Sequence, residues 1–185
     1  MKTVAIIYHS STGNVHQMAQ AAQTHAEQLG HRVLSTRLPE LDDPDATAAA
    51  HQNALGDLEA ADAVLWGTPG RYGAMSGPMK YFLDQTLPLH QRGVLADKYM
   101  STFVSTASNH GGQESTILAF NNVLYHWGAI IVPAGAAGEA QAMPFNGNPY
   151  GISSVSKAQP DAVPSENLDA MKFLVERLLN LVPGE

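Results

Sequence analysis

The chain has 185 residues, 44% hydrophobic and 15% charged, enough for one domain over residues 1–185 with a sizeable core and too apolar for wholesale disorder. Seventeen acidic against ten basic residues give a net charge of −7, and the ten are scattered, so no groove that tracks nucleic-acid phosphates is expected. The lack of cysteine excludes disulfides, zinc–thiolate sites, iron–sulfur clusters and a thiol nucleophile. No run of 18 apolar residues occurs and no cleavage-site pattern follows the first apolar stretch, so a cytoplasmic protein without membrane insertion is the expectation.

Val4 to Tyr8 is a continuous β-branched apolar run, which suits a strand covered on both faces. After the turn Ser10-Ser11-Thr12-Gly13-Asn14, the residues Val15, Met18, Ala19, Ala22, Ala26 and Leu29 recur at helical spacing, and Gly30 supplies a stop. The pattern repeats: a strand over 31–38, a helix over 46–61, and a short buried strand over 63–67 running into Thr68-Pro69-Gly70. Ser76-Gly77-Pro78 opens a helix over 79–86, because proline in a first turn lacks only an N–H that has no partner there. A strand over 98–106, a helix over 113–127, a strand over 129–133 and a helix over 165–181 with Ser165 as N-cap complete the chain. Five strands alternating with five helices predict βαβ units around a parallel sheet. Between 134 and 164 the alternation stops among Pro, Gly, Ala, Asn and Ser, and this stretch reads as a long loop insertion.

Ligands of open parallel sheets bind at the carboxyl ends of the strands, which selects three segments. Ser10-Ser11-Thr12-Gly13-Asn14-Val15 joins a strand to a helix N-terminus and suits a phosphate held by uncharged donors; it has no lysine and matches neither the nucleoside-triphosphate loop nor the dinucleotide fingerprint. A bland alternative is that Ser10 or Thr12 only caps the helix. Pro69-Gly70-Arg71-Tyr72-Gly73 offers close backbone approach, an aromatic face and a guanidinium. Thr106-Ala107-Ser108-Asn109-His110-Gly111 presents main-chain donors and acceptors with little side-chain bulk. Together the three describe a phosphate socket and two walls of a flat slot. The remaining histidines show no metal-ligand spacing, and no metal site is expected. His9 stands out only because it precedes the first turn.

Nearly the whole chain resembles the flavodoxin-like fold and, within it, the WrbA family of NAD(P)H:quinone oxidoreductases. The resemblance is carried by Gly67-Thr68-Pro69 through Met75-Ser76-Gly77 to Phe82-Leu83-Asp84-Gln85-Thr86, by His110-Gly111-Gly112-Gln113-Glu114-Ser115-Thr116-Ile117, and by Asn148-Pro149-Tyr150-Gly151 with Gln159-Pro160 and Pro164-Ser165-Glu166 beyond it. It implies a five-stranded parallel sheet of order 2-1-3-4-5 and noncovalent FMN, with the phosphate on Ser10 to Val15 and the ring system between Pro69–Gly73 and Thr106–Gly111. It further implies NADH or NADPH as hydride donor, a quinone as acceptor, and a homotetramer in which His126 reaches the flavin of a neighbouring subunit. From spacing alone His126, beside Trp127, reads as a half-buried core histidine. His126 and His110 are the candidates for placing or protonating a quinone oxygen. Two positions depart from the family pattern: Thr12 and His90 stand where aromatic residues are common, so both are candidate substrate contacts. Hydride transfer needs no nucleophile or metal from the protein, and one shared flavin face implies ping-pong kinetics. Two rival readings are a one-electron carrier with the same cofactor and a cofactor-free interaction protein on the same scaffold.

Overall fold

The computed structural model describes residues 1–184. Strands β1 (Thr3–His9), β2 (Arg32–Leu38), β3 (Ala63–Pro69), β4 (Tyr99–Thr106), β5 (Ile130–Ile131) and β6 (Ile152–Val155) alternate with helices α1 (Asn14–Gln28), α2 (Pro44–Ala60), α3 (Gly77–Gln85), α4 (Leu87–Gln91), α5 (Gln113–Trp127) and α6 (Ser165–Leu181). Every ladder is parallel, in the order β2-β1-β3-β4-β5, as the flavodoxin-like reading expects.

Because side chains alternate across a strand, β1 feeds two cores. Val4, Ile6 and Tyr8 pack with Val15, Met18 and Ala22 of α1 and Met171, Leu174 and Leu178 of α6. Ala5 and Ile7 face Leu58 of α2, Phe82 of α3 and Phe120 and Leu124 of α5, around Trp66. This double coverage is the reason β1 and β3 are apolar without a break.

Four expectations need correction. The fifth position of the sheet is split: β5 pairs only with Tyr99 and Met100 of β4, and β6 takes over beside Phe103 to Thr106. The sheet therefore has six strands, and the stretch read as a structureless insertion over 134–164 rejoins it. Ahead of β6, side-chain amides help to hold that stretch. Gln141 Nε2 donates to the carbonyls of Gly135 and Asn148 at 3.0 and 2.9 Å, and Asn146 Nδ2 donates to those of Ala140 and Glu166 at 2.7 and 2.9 Å. A short helix, α4, lies where none was predicted. Finally, Pro164 occupies the N-cap of α6, and Ser165 is already helical with its hydroxyl on Glu166.

Candidate functional site

The three predicted segments meet at the carboxyl edge of β1, β3 and β4. In the first, Gly13 at φ 85° is the N-cap of α1, and the Ser10 hydroxyl accepts from the His16 N–H in the first turn at 3.2 Å. Ser10 does cap, but it leaves most of the turn free: the N–H groups of Thr12, Gly13, Asn14 and Val15 have no hydrogen-bond partner among the described residues. Consecutive free N–H groups at the positive end of a 15-residue helix form an anion cradle. Val15 turns its side chain into the core, so only its backbone belongs to the site. Two cations stand at the turn, although only uncharged donors were expected there. Arg37 donates to the Ser10 carbonyl at 2.6 Å and Arg71 to the Ser11 hydroxyl at 3.2 Å.

The second segment is a tight hairpin. Arg71 and Ala74 exchange backbone hydrogen bonds at 2.7 and 3.0 Å across Tyr72 and Gly73, both at positive φ, and the Tyr72 ring projects fully into solvent. The third is folded on the Ser108 carbonyl, which accepts from Thr106 Oγ1, Gly111 N and Gln113 Nε2 at 3.1, 2.9 and 3.0 Å. Ala107, Ser108, Asn109 and His110 are exposed above it. Glycine brings these two segments together. A Cβ on Gly112 would lie 2.9 Å from Gly73 Cα, and one on Gly70 would lie 2.7 Å from the Thr106 methyl and 3.0 Å from Thr116 Oγ1. That Thr116 hydroxyl is buried and has no partner among the described residues, so the floor between the loops keeps an unused polar group.

Glu40, Arg37, Tyr8 and Asp161 of this edge were missed, and His9 was marked only by its place before the first turn. Buried His9 lies with Nδ1 2.9 Å from Ser76 Oγ and Nε2 3.0 Å from Glu40 Oε1. Burial holds its imidazole below the usual histidine range against the pull of Glu40, and Arg71 and Arg37 push the same way as burial. Burial opposes the Glu40 charge, yet the Ser11 hydroxyl, His9 and Arg71 together keep its carboxyl below the usual range. On the other face of β1 burial raises the Tyr8 phenol, with Arg37 opposing, and its hydroxyl meets His16 Nδ1 at 2.7 Å. The turn after β6 also closes on the first segment: Asn14 Nδ2 donates to the Gln159 carbonyl at 2.9 Å, Asp161 N to the Thr12 carbonyl at 3.1 Å and Ala162 N to Asn14 Oδ1 at 2.8 Å. The Asp161 carboxylate occupies the space beside Gly13 where a side chain would stand. Gln159-Pro160 belongs to the strings that carry the family resemblance, but nothing in it places the turn against Asn14, because that position depends on β6.

His126 and His90 lie elsewhere. Helix α5 starts beyond the carboxyl end of β4 and runs back, so that Gly128 after its last turn accepts from Asp97 N just before β4 at 3.0 Å. His126 is therefore at the amino edge, exposed in a groove of about 310 Å³ shared with His90, Lys80 and Asp84. The half-buried core position suggested by spacing does not hold.

An open parallel 2-1-3-4-5 sheet with an anion cradle after β1 and two glycine-built loops beside it defines a flavodoxin-like α/β protein. Comparison with known proteins narrows this. Residues 1–143 match NADPH-dependent FMN reductase, and the chain belongs to that family. It is 39% identical over 180 residues to an NAD(P)H dehydrogenase (quinone) of Geobacter sulfurreducens, covering 89% of each chain. It is 36% identical over 193 residues to one of Brucella anthropi, covering 98% of this chain and 97% of the other. A WrbA-like flavodoxin of Agrobacterium tumefaciens shares the fold with a TM-score of 0.71 at 21% identity over 98% of both chains.

Proposed function

We propose that this protein is an FMN-dependent NAD(P)H:quinone oxidoreductase. The fold, the family and relatives named NAD(P)H dehydrogenase (quinone) support the activity. The single observation that carries the cofactor assignment is the row of unpartnered N–H groups from Thr12 to Val15 at the head of α1, beside a slot whose walls only glycine permits.

FMN supplies the two-electron chemistry between a nicotinamide and a quinone; the protein binds, orients and shields. In this reading Ser10 to Val15 hold the phosphate through backbone N–H groups and hydroxyls, with Arg71 and Arg37 adding positive charge beside them. Pro69 to Gly73 and Thr106 to Gly111 flank the ring system, and the unused Thr116 hydroxyl lies beneath them. Exposed Tyr72 offers a face that closes over a flat ligand. His110, exposed at the rim, places or protonates a quinone oxygen, and Thr12 contacts the incoming substrate.

His126 and His90 serve the same reaction only from a neighbouring copy, since both sit at the opposite edge of their own sheet. We therefore place them, with the homotetramer, in one assembly. Its one open slot requires the nicotinamide to leave before the quinone enters, which is ping-pong kinetics. Cytoplasmic location fits a nicotinamide donor, and no described helix is long and apolar enough to cross a membrane.

The test is an anaerobic titration of protein reconstituted with FMN. Flavin absorbance near ~450 nm is expected to bleach with NADH or NADPH and return with benzoquinone, giving parallel steady-state lines. A protein that takes up no FMN sinks the cofactor assignment; one that is bleached but passes no electrons to quinones is a carrier and not this enzyme.

A further inference from the structure

His9 ends β1 on the face covered by α2 to α5 and is only 2% exposed, yet polar groups from four elements surround it. Arg37 comes from β2, Glu40 from the segment after it, Arg71 from the hairpin and Ser76 from the head of α3. Its Nδ1 contact with Ser76 Oγ is a hydrogen bond of 2.9 Å. The 3.0 Å approach of Nε2 to Glu40 lies off the ring N–H axis, so the pair is in contact without an aligned hydrogen bond. Beyond Ser76 the chain continues: Ser76 Oγ is 3.2 Å from Thr68 Oγ1, which accepts from Ser76 N at 3.1 Å and donates to the Pro69 carbonyl at 3.1 Å.

The proton positions follow from donor arithmetic. An ionised Glu40 only accepts, so neutral His9 keeps its proton on Nε2 and takes the Ser76 hydrogen on Nδ1. When His9 gains a second proton, Nδ1 becomes a donor. Ser76 Oγ then accepts it and turns its own hydrogen to Thr68 Oγ1, which still donates to Pro69. Rotation of one hydroxyl keeps Nδ1 hydrogen-bonded in both charge states, so the imidazole can titrate without breaking its bond to Ser76, while Nε2 stays in contact with Glu40 throughout.

We propose that His9 is a positioning residue of the cofactor site, tying the phosphate turn to the β3–α3 loop through Ser76 and Glu40 and taking up a proton when a phosphate monoester settles on the adjacent N–H cradle. The inference rests on the FMN assignment above and deepens it by making cofactor affinity depend on one buried side chain. In the free protein burial keeps His9 neutral near pH 7, Arg71 and Arg37 reinforce that, and Glu40 is the opposing charge. A bound phosphate adds negative charge beside it and raises its proton affinity. Binding then consumes a proton between the free and bound titration midpoints, so affinity for FMN rises as pH falls through that window.

The experiment measures the Kd of FMN by quenching of flavin fluorescence from pH 7.5 to pH 5.0, in wild type and His9→Gln, with riboflavin as the ligand lacking phosphate. The phosphate's own ionisation is common to both proteins, so the ratio of their Kd values isolates His9. That ratio is expected to widen by roughly tenfold toward low pH for FMN, the equivalent of about one pKa unit, and to stay flat for riboflavin. A second readout needs no substitution: the ring resonances of His9 in wild type, assigned through contact with Ser76, titrate at higher pH when FMN is bound. Wild type that binds no FMN overturns both the cofactor assignment and this one. FMN binding with an unmoved His9 midpoint, or with a flat Kd ratio, overturns the role of His9 and leaves the cofactor assignment standing.

Discussion

At the carboxyl edge of the sheet, histidine, hydroxyl and amide groups are paired across segments far apart in sequence: His9 with Ser76 and Glu40, Asn14 with the turn at Gln159 to Ala162. At the amino edge, His90 and His126 stand exposed in an open groove beside Lys80 and Asp84, whose ion pair is with each other. Buried polar groups are costly unless partnered, so the first region carries a geometry that the chain itself completes. The second leaves its histidines exposed to solvent, with no such geometry built around them among the described residues. Proximity in sequence hides the distinction, since Gln113 and His126 share one helix and serve opposite edges.

The contrast can be broken in the cofactor's affinity at Gly13. Its φ of 85° costs an L-residue about 1–2 kcal/mol, and a methyl group there would run into the Asp161 carboxylate. Gly13→Ala is expected to weaken FMN at least roughly tenfold, since each 1.4 kcal/mol is a factor of ten, measured by fluorescence titration. Adding Asp161→Ala relieves the crowding but not the backbone strain, so it recovers only part of the loss. Full recovery would show that crowding alone sets the effect.

His126→Ala sharpens the other side. With the side chain at the amino edge, FMN affinity of the isolated chain has no reason to change, whereas loss of a proton donor or positioning group in the reaction costs roughly a hundredfold in quinone turnover. Mixing the two variants makes the comparison decisive. At FMN concentrations too low to load it, Gly13→Ala keeps His126 without a filled flavin site, and His126→Ala keeps the flavin site. Mixed assemblies regain turnover if His126 acts across a subunit boundary, and stay inactive if it does not.

What could be read in the residues follows the physics of each signal. The apolar runs of β1 and β3 and the 3.6-residue spacing of Ile117, Phe120, Leu124 and Trp127 are local patterns tied to burial, and they located the strands and α5. The three loops were legible because glycine and small donors cluster after each strand. By contrast Ile152-Ser-Ser-Val155 is too short and polar to announce a strand. It becomes one only because β5 ends after two residues and leaves the carboxyl half of β4 unpaired. The turn from Gln159 to Ala162 inherits that position, so its closure on Asn14 is a tertiary fact. Leu87-Pro-Leu-His-Gln91 is a single helical turn held by Thr86, with too few residues for any period to show. Glu40 and Arg37 joined the site unseen because the expected order sets β2 beside β1 but does not say that these two side chains reach Ser10 and His9.

Between the two edges lies a third kind of histidine, and it gives the smallest effect. His51 of α2 is 7% exposed, with its ring 5.4 Å from Tyr81 and 5.2 Å from Phe82 and with no partner for Nε2 among the described residues. Burial lowers its proton affinity below the ordinary histidine value of 6.5, and no carboxylate among the described residues opposes that shift. The unfolded chain therefore binds the proton first. Stability is unaffected well above pH 6.5, begins to fall as pH drops through the unfolded value of 6.5, and levels off below the lower folded value. His51→Phe removes the titration, so its melting temperature should gain on that of wild type between pH 7.5 and pH 5.0 by a margin on the order of 2–4 °C. His9→Gln should show less of this gain, because Glu40 partly compensates the imidazolium at that edge. An equal gain in both variants would mean that the polar partners of His9 do not distinguish it from a histidine buried among rings.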